Sequence, residues 1–273
     1  MMSVSTLLDD LVAESADLDR LVADLEPAEW KIMTPAPGWT VAHQIAHLAW
    51  TDEIALLSAT EPSRFVDFVR DGLAAADSVP AFIEAVAAEG AQSEPAELLA
   101  RWRDGRDKLA AALSKVEPGV KLPWLGPPMS VGSMATARLM ETWAHGQDVA
   151  DALGVQCEPT TRLRHVAHIG VRARGYAFLA NGKQAPEADV RVELKAPDGD
   201  IWTWGAEDAT DRVTGSALDF CHRVTQRRHR DDLDLVTNGP IADEWLDIAQ
   251  AFAGPPGAGR EPGQHKLEEG TQR

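Results

Sequence analysis

His43 and His47 stand four residues apart in GWTVAHQIAHLAW, residues 38–50, a stretch that is otherwise almost wholly apolar. Four residues is a little over one helical turn, so on a helix the two imidazoles share a face and can reach one target. A second pair, Glu141 and His145 in METWAHGQ, repeats that spacing. Imidazole nitrogen and carboxylate oxygen are standard ligands of divalent ions, and two histidines with one carboxylate leave coordination positions open to water or substrate. Each pair alone has a plainer reading, as hydrogen-bonded core histidines or as a solvated Glu–His face. Their conjunction points to a metal centre, because ligands of this kind converge from facing helices of a bundle.

The elements that must position these residues are helical in the first half. SVSTLLDDLVAESADLDRLVADL carries leucines and valines at three-and-four spacing, and the histidine segment follows with Thr40 as its N-cap. Segments 80–90 and 94–116 read as helices, the latter with Pro95 in its first turn, and residues 115–130 read as a long loop. Ser130 or Ser133 opens a helix that stops at Gly154. Beyond residue 157 the texture changes. TTRLRHVAHIGVRARGYAFLA reads as one helix, DVRVELKAPDGDIWTWG as a hairpin, DRVTGSALDFCHRVTQRR as a helix, DLDLVTNG as a short strand and IADEWLDIAQAFA as a closing helix. The expectation is an α+β chain: an antiparallel four-helix bundle over 1–156, a smaller mixed α/β domain over 157–253, and a disordered Gly/Pro-rich tail over 254–273.

Composition narrows the function classes. The formal charge is −17, from 43 acidic and 26 basic residues, and such a surface repels phosphate backbones. Nucleic acid is therefore not an expected partner. The first residues lack a basic segment followed by an apolar run, and no stretch is long enough to span a bilayer, so a cytoplasmic location is expected. Two cysteines, Cys157 and Cys221, exclude a disulfide framework and read as reduced, packed residues. Asp9, Asp10, Glu14, Asp17 and Asp19 read as the solvated face of the first helix, and Asp208, Asp211 and Asp219 as helix-start or solvent-facing acids. Trp39, Trp50 and Trp143 lie near the histidines, where they line a pocket or fill core, and Gly38 and Trp39 are read as structural residues leading into the second helix.

GWTVAHQIAHLAW together with ETWAHGQDVADALG resembles the DinB-like metal-binding four-helix-bundle superfamily, and within it the mycothiol-dependent maleylpyruvate isomerase group of actinobacteria. The resemblance covers about residues 1–155 and implies three metal ligands: a histidine just before a leucine on the second helix, His47, and a Glu-x3-His pair on the last, Glu141 and His145. The C-terminal part resembles a domain appended to a branch of this group that carries a label from wyosine base formation; the charge argues against transfer RNA as substrate. The isomerase group also implies an essential arginine in the C-terminal domain, for which Arg227 and Arg228 are the candidates.

The function this implies is a metal-dependent mycothiol transferase or isomerase. The metal generates a thiolate that attacks a small electrophile, while Arg227 or Arg228 holds an anionic group. Zinc is the default ion, with nickel or iron also suited to the ligands. His43 reads as a pocket-wall group or proton shuttle and Asp148 as an orienting partner of a ligand imidazole, each against a plain structural reading. His168, Arg172 and Arg174 read as a solvated face with carboxylate binding as the alternative. Two rival functions stand beside this one: a metal-dependent hydrolase or lyase that uses no thiol, with His43 as base, and a non-catalytic metal or small-molecule binding protein. Homodimerisation is left open.

Overall fold

The computed structural model describes residues 3–257 and 259–264. The chain forms two compact units, Met1–Val155 and Gln156–Arg273. No helix among the described residues is long and apolar enough to cross a membrane.

The first unit is helical: α1 (Val4–Val22), a 3-10 turn (Glu29–Lys31), α2 (Val41–Thr60), α3 (Pro62–Ala74), α4 (Val79–Gly90), α5 (Pro95–Leu113) and α6 (Val131–Leu153), with a two-residue ladder of β1 (Lys121–Leu122) on β2 (Met129–Ser130) before α6. Helix α2 packs on α5 and α6, and α1 packs on the same two helices. One core joins all four, including Leu18 and Val22 of α1, Ile45 and Leu48 of α2, Leu98 and Trp102 of α5 and Val149 of α6. A helix apolar on nearly every side must be central, and α2 accordingly also carries α3 and α4. These two helices cover its second half through Trp50, Ile54, Phe65 and Phe82.

Local chemistry sets the ends of α6. Ser130 is the N-cap, accepting from the Ser133 amide, and Gly154 ends the helix at φ 67°, a left-handed conformation that glycine adopts without a Cβ penalty. Helix α3 is absent from the sequence expectation; it begins with Pro62 in its first turn after the break at Glu61.

Asp19 on α1 is not a solvated acid. Arg103 binds both its carboxylate oxygens (2.8 and 2.5 Å) and Arg106 adds a third contact (2.6 Å), so α5 is tied to α1; Glu14 is buried. The hydrogen bond from Arg103, reinforced by Arg106, holds the Asp19 carboxyl below its ordinary pKa. A carboxylate depressed in the folded state contributes stability above its unfolded pKa of about 3.9, and that contribution is lost as pH falls through the folded value. Asp19→Asn is expected to cost about 1 kcal/mol at neutral pH. Urea unfolding should show a constant gap from wild type between about pH 8 and 5 that closes below about pH 4.

The second unit contains α7 (Leu163–Arg172), α8 (Arg174–Ala180), β3 (Val190–Lys195), β4 (Ile201–Trp204), β5 (Asp211–Ser216), α9 (Ala217–Val224), a 3-10 turn (Arg230–Asp232), β6 (Val236–Asn238) and α10 (Pro240–Ile248). The sheet order is β4-β3-β5-β6. The β3–β4 hairpin is antiparallel with Val192 opposite Trp204, β5 runs parallel to β3 with Val213 opposite Val192, and β6 is antiparallel to β5. Four sequence expectations are corrected here. DRVTGS is strand β5, not the start of a helix, and the helix expected over residues 160–180 is two, meeting at Ala173. Asp211 is buried and accepts from the Ile241 and Ala242 amides, capping α10. Cys221 is buried as expected, whereas Cys157 is exposed.

Residues 254–257 and 259–264 of the expected tail are described and form no helix or strand. They still make defined contacts: Tyr176 Oη donates to Gly254 O (2.7 Å), and the Gly263 amide donates to Asp232 Oδ2 (2.8 Å). The remainder of that expectation, 258 and 265–273, lies outside the described residues.

Candidate metal centre

Between the 3-10 turn and α2 the chain doubles back. Met33 and Thr40 form an isolated antiparallel bridge, the Val41 amide donates to Ile32 O (3.0 Å), and the Thr34 amide donates to Trp39 O (2.8 Å). The reversal passes through Gly38 at φ 81°, a conformation side-chain-bearing residues rarely adopt. It delivers the Trp39 indole over the histidines. The ring centroid lies 5.4 Å from His47, 6.2 Å from His43 and 5.9 Å from His145, stacked on the last at 18°. The indole N–H donates to Glu84 Oε2 on α4 at 2.8 Å, which fixes the ring from the far side. Trp50, by contrast, packs edge-on against Phe82 in the core.

Below this cover His47 of α2 meets Glu141 and His145 of α6. Their candidate ligand atoms all lie within 4.8 Å of one another. Glu141 Oε2 is 3.4 Å from His47 Nε2 and 3.1 Å from His145 Nε2, and the two imidazole centroids are 4.6 Å apart. Both imidazoles are buried and the carboxylate is partly open. Burial alone would raise the Glu141 pKa, but the hydrogen bonds and charge of His145 and His47 overcome it and hold the carboxyl well below the ordinary range. Glu141 is thus kept anionic.

Hydrogen-bond polarity provides a test of whether a cation fits. Trp39 O can only accept, so the Thr34 hydroxyl donates to it (2.9 Å) and accepts from Gln44 Nε2 (2.8 Å). Gln44 therefore turns Oε1 toward His145 Nδ1 (2.5 Å), which must carry a proton. In the neutral imidazole the lone pair is then on Nε2, facing an anionic oxygen. Two acceptors at 3.1 Å require a positive species between them, either a proton on Nε2 or a metal ion. The donor set of two imidazoles and a carboxylate fits a divalent ion.

The other expected site residues fall as follows. His43 lies at the start of α2, where its Nδ1 accepts from the Thr40 amide (3.3 Å) and lies 2.8 Å from Thr40 Oγ1. A backbone N–H can only donate, so the neutral ring carries its proton on Nε2. Burial lowers the His43 pKa, with Glu84 acting in the opposite direction. Asp148 is buried on α6, and Gln44 Oε1 lies 2.5 Å from His145 Nδ1. Arg227 and Arg228 follow α9 in the second unit and donate to Thr225 O and Arg227 O, each at 2.8 Å. In that unit His168 accepts from Trp204 Nε1 (3.2 Å), Arg172 is exposed, and Arg174 is half-buried. Sequence reading gave no role to Gln44, Thr34 or Glu84, and read Trp39 as a structural residue that lines a pocket or fills core. The available signal for Gln44 was a polar residue three positions before His47 on the same face of an otherwise apolar segment.

Comparison with known proteins agrees with the geometry. A family model described as "Mycothiol maleylpyruvate isomerase N-terminal domain" matches residues 11–150, and one described as "Wyosine base formation" matches residues 186–238. Two proteins of Mycobacterium tuberculosis, from strains CDC 1551 / Oshkosh and ATCC 25618 / H37Rv, are each described as uncharacterized. Each is 56% identical over 251 residues, covering 92% of this chain and 96% of the relative. The crystal structure of the mycothiol-dependent maleylpyruvate isomerase superimposes with a TM-score of 0.57 at 17% identity, covering 86% of this chain and 93% of that one. A mutant of the isomerase gives the same TM-score at 16% identity, covering 88% and 97%. At that identity the likeness establishes the fold. With its first family match spanning more than half of the chain and carrying all three candidate ligands, the chain belongs to the mycothiol maleylpyruvate isomerase N-terminal domain family.

Proposed function

We propose that this chain is a metal-dependent enzyme that uses mycothiol as thiol cosubstrate and acts on a small electrophile by thiol transfer or isomerisation. The observation that carries the proposal is the convergence of His47, Glu141 and His145, whose hydrogen-bond polarity is met by a metal ion or by a proton on His145 Nε2, in a chain of this family. A divalent ion held there, zinc by ligand type with nickel or iron also suited, would supply Lewis acidity and lower the pKa of a bound thiol. His145 presents Nε2 because Gln44 occupies Nδ1. Trp39 closes one side of the site with an apolar face that excludes water, and Glu84 holds it there. His43, protonated on Nε2 as a neutral ring, suits donation of a hydrogen bond to a ligand better than base catalysis. That polarity argues against the thiol-free hydrolase with His43 as base.

The net reaction balances without an added oxidant. In isomerisation the thiolate sulfur adds to one carbon of a conjugated double bond, the electron pair passing to the conjugated carbonyl, and is expelled after rotation about the resulting single bond, returning the thiol; in transfer the carbon–sulfur bond remains and the thiol proton ends on the neighbouring carbon. A panel of unsaturated acids and other electrophiles, maleylpyruvate among them, assayed with zinc-loaded protein should show turnover only with mycothiol present. Equal turnover in thiol-free buffer would remove the thiol from the account. Tight ligand binding with no turnover across the panel would make the protein a binding module.

A further inference from the structure

We propose that Gln44, oriented by Thr34, is a positioning residue that sets the metal affinity of the centre by fixing the protonation pattern of His145. The proposal rests on the metal-centre reading above and goes beyond it, because Gln44 and Thr34 are not among the candidate ligands. All of the direction comes from one acceptor-only atom, Trp39 O, passed through the Thr34 hydroxyl and the Gln44 amide to His145 Nδ1.

The alternative arrangement shows why the direction matters. If the Gln44 amide were rotated by half a turn, its NH2 group would face His145 Nδ1, which would then have to accept. The ring proton would move to Nε2, where it would donate to Glu141 and occupy the position of the metal. The rotated amide would also turn Oε1 toward Thr34 Oγ1. That hydroxyl could satisfy Oε1 only by releasing Trp39 O, so the Thr34 hydroxyl biases Gln44 toward the metal-competent orientation. Gln44 and Thr34 are both buried, so water does not readily substitute for either contact. Coupling of this kind, through the second ring nitrogen of a ligand histidine, is known to alter metal affinity about 10–100-fold.

Zinc can be withdrawn from the loaded full-length protein by a chromogenic chelator, and the dissociation constants of four proteins compared with wild type. Gln44→Leu removes the acceptor and is expected to weaken zinc binding by about 10–100-fold. Gln44→Glu retains an acceptor oxygen and is expected to bind within about tenfold of wild type. Thr34→Val leaves the glutamine free to rotate and is expected to weaken binding on the order of fivefold, the worth of one net hydrogen bond. In the Gln44→Glu background the same Thr34→Val change should have no effect, because a carboxylate has no wrong orientation. A packing role for Thr34 would weaken binding equally in both backgrounds, and that result overturns the proposal. Thermal unfolding of the metal-free proteins separates loss of affinity from loss of fold, and if Gln44→Leu does not fold, the other three variants still decide. Unchanged affinity in every variant overturns the proposal while leaving the metal centre standing; a wild type that binds no zinc overturns both.

Discussion

Glu141→Ala and His145→Ala are expected to lose zinc that wild type retains, with affinity falling on the order of a thousandfold or more, beyond the roughly 10–100-fold cost of removing an outer hydrogen-bond partner. Glu141 contributes the negative charge of the set, and its carboxyl is held ionised by the two imidazoles. Its removal takes the one carboxylate from the set and leaves a site without charge compensation for a divalent ion. His145→Ala removes the candidate ligand whose Nδ1 is held by Gln44. Elemental mass spectrometry of tag-free protein, wild type beside both variants, reads the result directly. Near-stoichiometric metal in wild type only is the expected outcome, with mycothiol-dependent turnover lost in parallel.

The largest stability effect is expected one turn away. Arg138, three residues before Glu141 on α6, donates through Nε to Asp52 Oδ1 on α2 at 2.9 Å, and both side chains are buried. Burial pushes the Asp52 carboxyl pKa up while Arg138 pulls it down. Asp52→Leu leaves a guanidinium without its counter-ion inside the core and is expected to cost about 3–5 kcal/mol. Arg138→Met leaves the carboxyl unpaired and should cost a similar amount. The pair is imperfectly satisfied, since Arg138 Nη2 has no hydrogen-bond partner among the described residues. The double variant, which removes both charges at once, is therefore expected to recover most of the loss. Urea unfolding of the four proteins gives the coupling, and zinc binding by the double variant should stay close to that of wild type. A double variant as unstable as the sum of the singles would contradict this account of the pair.

What could be read from the sequence was whatever local periodicity encodes. The four long helices α1, α2, α5 and α6 announce themselves by apolar spacing, Ser130 and Gly154 mark the ends of α6 by cap chemistry, and Pro-Asp-Gly-Asp marks the β3–β4 hairpin. Strand β5 was not legible because DRVTGS is short and polar. It becomes a strand through parallel pairing with β3, a contact remote in sequence that buries Val213 beside Val192. At the site, four-residue spacing marks His43 with His47 and Glu141 with His145 as candidate pairs, and the resemblance to the isomerase group singles out His47 with Glu141 and His145. Their supporting groups do not. Thr34 and Trp39 act from a loop whose reversal only the folded chain shows, and Glu84 reaches Trp39 from a separate helix. Asp148 is the sequence choice for orienting an imidazole because it lies nearby on the same helix; Gln44, which contacts His145 Nδ1 from across the bundle, carries no comparable local signal.

The measurement that tests the central claim most directly is calorimetric binding of mycothiol to zinc-loaded and metal-free wild-type protein. If the centre exists to bind and activate this thiol, the loaded protein should bind it at least about tenfold more tightly, a difference of roughly 1.4 kcal/mol. Glu141→Ala should bind it no better than the metal-free wild type. Equal affinity with and without the metal would contradict the account and separate the metal centre from thiol chemistry.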